Sequence, residues 1–197
     1  MEKAGVERVC SLLGKGHAGV VFLVDWRGSA AALKVRRRDS RRETLEPEAR
    51  AAALAALAGA GPEVYDFSEE YIVMAPVLGP SLEDLSEEGL LRPRHILAAI
   101  EAARALDTAG ILHGELHRPW RSVLFTPSKA VIIDYDSASR GCGNVVKLVS
   151  GLSRRIPGIL SLVRSERFRS LAKKYYWEGC GETTYIDIVE AVKKSLS

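Results

Sequence analysis

Hydrophobic and polar positions divide the chain at about residue 75. Before it, short runs of β-branched and aromatic residues alternate with Gly, Asp and Pro, and after it apolar residues recur mostly at helical spacing. Residues 20–26, the dipeptide Arg27-Gly28 and residues 29–35 predict a hairpin with a two-residue turn. Residues 64–67 with 71–74 predict a second hairpin, and 123–125 with 130–133 a third. Residues 47–57 are Ala/Leu-rich, open on Pro47 and close before Gly59, which predicts a helix with both end signals. Ser81 predicts the cap of a short helix, and 93–108 a longer one ended by Gly110. From about residue 144 the pattern is helical, with breaks near Pro157 and at 179–181. This order predicts an α+β chain of two lobes, strand-rich over 1–75 and helical over 76–197.

Composition narrows the class. With 197 residues, 47% hydrophobic and 27% charged, the chain is neither disordered nor fibrous. No apolar run approaches the ~20 residues of a membrane helix, so a soluble, cytoplasmic protein without membrane contact is expected. Cys10, Cys142 and Cys180 are odd in number, far apart and without a CxxC motif, which predicts reduced thiols; the loop holding Cys142 between two glycines is expected to be mobile. Gln is absent and Asn144 is the single Asn, a depletion of thermolabile amides that suggests a thermophilic source. The net charge of +3 is unevenly placed. Residues 34–42 hold six basic residues and one acid, and residues 140–174 nine and one, so RNA or a ribonucleoprotein is a candidate partner through these segments. The absence of aromatic residues interleaved through most of the second segment weighs against single-strand binding.

Candidate chemistry begins at Gly14-Lys-Gly16-His-Ala-Gly19-Val-Val21. A dinucleotide fingerprint requires strand, loop, helix; here a strand follows, so the glycines cap a hairpin, as in a kinase phosphate loop. If the turn is Arg27-Gly28, Val21 faces Lys34 across the strands and both lie on one face of the sheet. Lys34 is then placed beneath the glycines to hold phosphates; the bland alternative is an exposed lysine opening a basic run.

With these motifs in place, the chain resembles the protein-kinase superfamily over residues 12–136, most closely its small archaeal atypical branch of RIO-type and KEOPS-type kinases. Ala-Leu-Lys34 stands where the family has V-A-I-K. Met74-Ala75-Pro76-Val77 stands at the gatekeeper and hinge, which implies that the Ala75 carbonyl and Val77 N–H meet adenine. A helix glutamate should hold Lys34; of Glu43, Glu46 and Glu48, only Glu48 lies firmly inside the predicted helix. His113-Gly-Glu115 resembles the start of the catalytic loop, with Glu115 in place of the usual Asp and His113 as a packing residue. The loop has no Asn, and alignment on Val123-Leu-Phe125 puts Ser122 at the second metal position. Ile133-Asp134-Tyr-Asp136 resembles the segment that carries Mg²⁺, implying Asp134 as its ligand.

The resemblance implies an ATP- and Mg²⁺-dependent Ser/Thr protein kinase with catalytic Lys34, Glu115 and Asp134. The runner-up is a nucleotide-binding pseudokinase or ATPase switch in a ribonucleoprotein, because the catalytic-loop Asp and Asn are both replaced. His113, Glu115 and His117 could be read as a zinc set, but the spacing is not H-E-x-x-H and the context is a loop. His17 and His95 are expected to be ordinary surface or loop residues, and Trp120 is expected to pack in the core, with anchoring of the lengthened loop as the alternative.

Overall fold

The computed structural model describes residues 4–16, 19–40 and 42–196. Five antiparallel strands form the first layer: β1 (Val6–Lys15), β2 (Gly19–Trp26), β3 (Ser29–Arg36), β4 (Val64–Phe67) and β5 (Tyr71–Met74), in the order β1-β2-β3-β5-β4. Helix α1 (Glu46–Leu57) lies between β3 and β4 in sequence. The β2–β3 register is the one the turn dictates, with Val21 opposite Lys34 and Val24 opposite Ala31. Arg27 (φ +51°) and Gly28 (φ +75°) are both left-handed, which matches the right-handed twist of the flanking strands. The Arg27 guanidinium lies 4.5 Å from the centre of the Trp26 ring.

Strand alternation sends the two faces of this sheet to different tasks. Val24, Ala31, Leu33 and Val73 share one face and form a small core with Phe22 and Trp26. The other face presents Val21, Ala32, Lys34, Ile72 and Met74, joined by cross-strand pairing. Leu45 and Ala49 of the α1 region pack on Ile72 from that side. Strand β1 is the first strand of the glycine-capped hairpin, which the sequence pattern implied without bounding it. It is an outer strand with three register irregularities and mostly exposed residues on both faces, so its sequence shows no clean alternation.

The helical layer holds α2 (Leu82–Glu87), α3 (Pro93–Thr108), α4 (Asn144–Leu152), α5 (Pro157–Arg164), α6 (Glu166–Trp177) and α7 (Glu182–Ser195). Two short ladders accompany them: β6 (Ile111–Leu112) with β9 (Ser139–Arg140), and β7 (Val123–Phe125) with β8 (Ala130–Ile132). The large core joins α3, α4 and α7 around Ile100, Leu106, Leu148, Leu152 and Ile188. The break between α5 and α6 at Ser165, unmarked by Gly or Pro, is a serine cap: its hydroxyl accepts from the Phe168 N–H. Among the described residues no helix is long and apolar enough to cross a membrane.

The cysteine expectation is corrected. Cys142 and Cys180 form a disulfide, closing 38 residues and tying the turn before α4 to the turn after α6. The loop expected to be mobile is therefore stapled, and only Cys10 is free. Intracellular proteins of hyperthermophiles are a known exception to reduced thiols, so the pairing is compatible with the amide depletion.

Candidate functional site

The segment after β5 crosses to the helical layer at its closest approach. A Cβ on Gly79 would lie 1.5 Å from the Phe125 carbonyl oxygen, so only glycine lets the backbone pass. The Phe125 N–H donates to the Pro80 carbonyl at 2.9 Å, and Ser81 bridges Leu124. This contact fixes β7 beneath the residues leaving β5. A cleft of about 540 Å³ opens between them.

Its roof is Gly14, Gly16, Gly19 and Val21; its inner wall is Lys34 and Glu48; Met74, Ala75 and Val77 border one side and Ser122, Leu124 and Asp134 the floor. Every residue expected to bind a nucleotide thus lines one cavity. Of the residues expected to be catalytic, Lys34 and Asp134 line it and Glu115 does not. Glu115 is half-exposed in the loop, 3.8 Å from the His117 ring, while its N–H donates to His113 Nδ1.

Lys34 is buried and its ammonium donates to two carboxylates, Glu48 Oε1 at 2.5 Å and Asp134 Oδ1 at 2.9 Å. Burial is the largest influence on Lys34 and opposes its charge, but Glu48 and Asp134 together outweigh it and its pKa lies above the ordinary value. Lys34 therefore remains an ammonium. Burial, again the largest cause, pushes the Glu48 carboxyl up, with the lysine pulling against it and Asp134 and Asp136 adding to the rise. One positive charge thus faces more than one negative charge. The other Glu48 oxygen, Oε2, is buried without a hydrogen-bond partner. Glu43 is exposed and Glu46 pairs with Arg50 on the helix surface, so neither competes for Lys34.

Local backbone choices aim these groups. A Cβ on Gly19 would stand 2.7 Å from the Val35 carbonyl and 3.0 Å from Lys34 Cγ, so glycine there lets the lysine stem run under the loop. Asp134 leaves β8 with φ +69°, a conformation costly for a non-glycine residue that turns its carboxylate back onto Lys34. The Ala75 N–H is spent on the Glu63 carbonyl, whereas among the described residues neither the Ala75 carbonyl nor the Val77 N–H meets a partner. Both atoms are available to a ligand.

Oxygen donors suited to Mg²⁺ are present in Asp134 and Ser122, but no group of three His, Cys, Asp or Glu among the described residues forms a closed metal cage. That donor set fits an ion completed by substrate phosphates, the usual manner of Mg²⁺. Among the described residues His113, Glu115 and His117 do not come together as a metal-holding group. His113 is fully buried instead: its Nε2 lies 2.9 Å from the Ile133 carbonyl, its ring packs edge-on to Tyr135, and burial lowers its pKa.

Asn144 is the residue that sequence reasoning passed over. Its side chain accepts from the His113 N–H and donates to the Ile111 carbonyl and to Asp107, which also takes the N–H groups of 143, 144 and 145. One buried amide thus ties α3 and α4 to the loop beneath Asp134; its being the only Asn in the chain was the available signal. Trp120 is buried as expected, with Arg155 stacked 4.6 Å from its ring centre. His95 is half-exposed at the start of α3, where its Nδ1 accepts from the Arg92 N–H; His17 lies outside the described residues. Of the first basic segment, Lys34 is spent in the cleft, Arg37 pairs with Asp39 and Arg42 lies 3.8 Å from Asp136, while Arg41 is outside the described residues. No protein-family model matches this sequence, and no curated protein matches it.

Proposed function

We propose that this chain is an ATP- and Mg²⁺-dependent phosphotransferase, a minimal Ser/Thr protein kinase with a strand-rich lobe over 1–75 and a helical lobe over 76–197. The observation that carries the reading is the buried Lys34 ammonium bridging Glu48 and Asp134 at the back of a glycine-roofed cleft. Val21, Ala32, Met74 and Leu124 supply apolar walls for a base, and the Ala75 carbonyl and Val77 N–H supply its polar edge contacts. Lys34, oriented by Glu48, meets the α- and β-phosphates, and the backbone at Gly14, Gly16 and Gly19 covers them. Mg²⁺, held by Asp134 with Ser122 beside it, would offset phosphate charge. Glu115 takes the proton of the acceptor hydroxyl as its oxygen bonds to the γ-phosphorus and the bond to the β-phosphate oxygen breaks, releasing ADP.

A second reading is a nucleotide-binding switch without transfer. It is favoured by the position of Glu115 outside the cleft lining and by a serine where the metal site has an amide in the resembling family. The deciding experiment follows γ-phosphate from labelled ATP with Mg²⁺ at elevated temperature, comparing the unmodified protein with Lys34→Met, Asp134→Asn and Glu115→Gln. Label on protein, lost in all three variants, supports the kinase. No transfer, with ATP raising the melting temperature only when Lys34 is present, leaves the switch. Neither transfer nor stabilisation overturns both.

A further inference from the structure

Helix α6 turns Phe168 and Tyr175 into the core, where both are buried. Its opposite face is open, and Trp177 stands there 91% exposed. Lys173 sits one turn before Trp177 on the same stripe, with Arg169 a further turn back. Arg164, Arg167, Arg169 and Lys173 are exposed, and no carboxylate pairs with them among the described residues. Lys174 is different, lying 3.7 Å from Glu178. The single acid within the stripe, Glu166, is at the far end of the helix, about 16 Å from Trp177 along the axis.

The helix end is rigidly held. The Tyr175 hydroxyl donates to Asp107 at 2.8 Å, and the following turn is fixed through the Cys142–Cys180 disulfide. A helix end fixed in this way holds the backbone that carries Trp177 and Lys173 in place, so little main-chain ordering entropy is lost on binding. The chemistry that satisfies both features is a chain of phosphates carrying bases with open faces. A duplex offers phosphates but no free base face. An acidic peptide offers charge without an obligatory ring partner. A membrane surface needs an apolar helix face to insert, and that of α6 is already spent on the core.

We propose that the exposed surface of α6, with Arg169, Lys173 and Trp177 on one stripe, Arg167 on its flank and Arg164 at the end of α5 beside its first turn, binds single-stranded nucleic acid, with phosphates on the cations and a base stacked on Trp177. The proposal stands apart from the nucleotide cleft and from any phosphoryl transfer there.

The test titrates a fifteen-residue oligouridylate into the protein and reads tryptophan fluorescence and polarisation. Binding should quench the emission of Trp177. Four neutralised phosphates give a log–log salt slope of about −3, or roughly fifty-fold weaker binding between 50 and 200 mM salt. Trp177→Ala should weaken binding by about ten-fold or more and abolish the quench, with Trp177→Phe restoring most of the affinity. Arg167→Glu with Lys173→Glu should remove binding while the melting temperature stays unchanged, since all these side chains are exposed. Lys34→Met should leave the oligonucleotide affinity intact, which separates failure here from failure of the cleft reading. Absent binding, an affinity that Trp177→Ala does not change, or equal affinity for polyglutamate or anionic vesicles overturns the proposal.

Discussion

Lys34→Met exposes how the cleft holds its charges. Lys34 and Glu48 are both buried, so their attraction escapes the screening that weakens surface pairs. Two unit charges about 3 Å apart attract by roughly 5.5 kcal/mol at an effective dielectric of 20. Withdrawing each from water costs several kcal/mol, so the intact pair contributes little net and the penalty emerges when one partner is removed. Methionine occupies much of the volume of the lysine stem, which leaves the loss mainly electrostatic. With Glu48 buried and unpaired, stability should fall by about 3–5 kcal/mol near pH 8. Asp134, more than half exposed, adds little to that figure. The pH dependence follows from the Glu48 carboxyl, which burial already raises with the lysine present and which rises further without it. A carboxyl with a higher pKa in the folded state contributes stability that is complete below its unfolded value and lost as pH climbs through its folded value. The deficit of Lys34→Met should therefore be largest near pH 8 and shrink toward pH 5. Urea unfolding of the parent, Lys34→Met and Lys34→Met with Glu48→Gln at both pH values measures it. The double variant should be the more stable of the two at pH 8. A deficit equal at both pH values, or a double variant no better than the single, would refute a buried ion pair at this position.

Other tests follow from single contacts. Gly19→Ala places a methyl 2.7 Å from the Val35 carbonyl, a backbone atom that cannot swing aside; unfolding stability should drop by about 1–3 kcal/mol, with nucleotide affinity falling in the same variant by calorimetry. Breaking the Cys142–Cys180 link, which closes 38 residues, should cost about 4 kcal/mol on the loop-entropy account, so reductant or Cys142→Ser should lower the urea midpoint visibly. An unchanged midpoint would mean that the paired cysteines do not constrain the unfolded chain.

What the sequence alone determined is local. The Arg27-Gly28 turn set the β2–β3 register by counting, and the register put Lys34 opposite Val21 without further information. Pro47 and the Ala/Leu run bounded α1 to within one residue, and that helix had one glutamate with the right neighbours. Resemblance in the motifs then chose the cleft residues, because each stands at a fixed distance from a turn or strand end. Elements without such punctuation were harder to read: β1, implied only as the strand before the glycines, is irregular and exposed and so carried no bounds, and the β6–β9 ladder of two residues each joins segments too far apart in sequence to be paired by pattern.

Tertiary structure decided what depends on long-range approach. Only folding brought Asp134 across 100 residues to Lys34, converting a candidate lysine into a three-group cluster around a buried Lys34–Glu48 pair. Only folding brought Cys142 beside Cys180, since the α4 and α6 ends meet through packing of α3, and sequence spacing carries no record of that meeting. The same packing left Glu115 outside the cleft lining and turned Trp177 outward, because burial is a property of neighbours supplied by the rest of the chain and the residue type does not fix it.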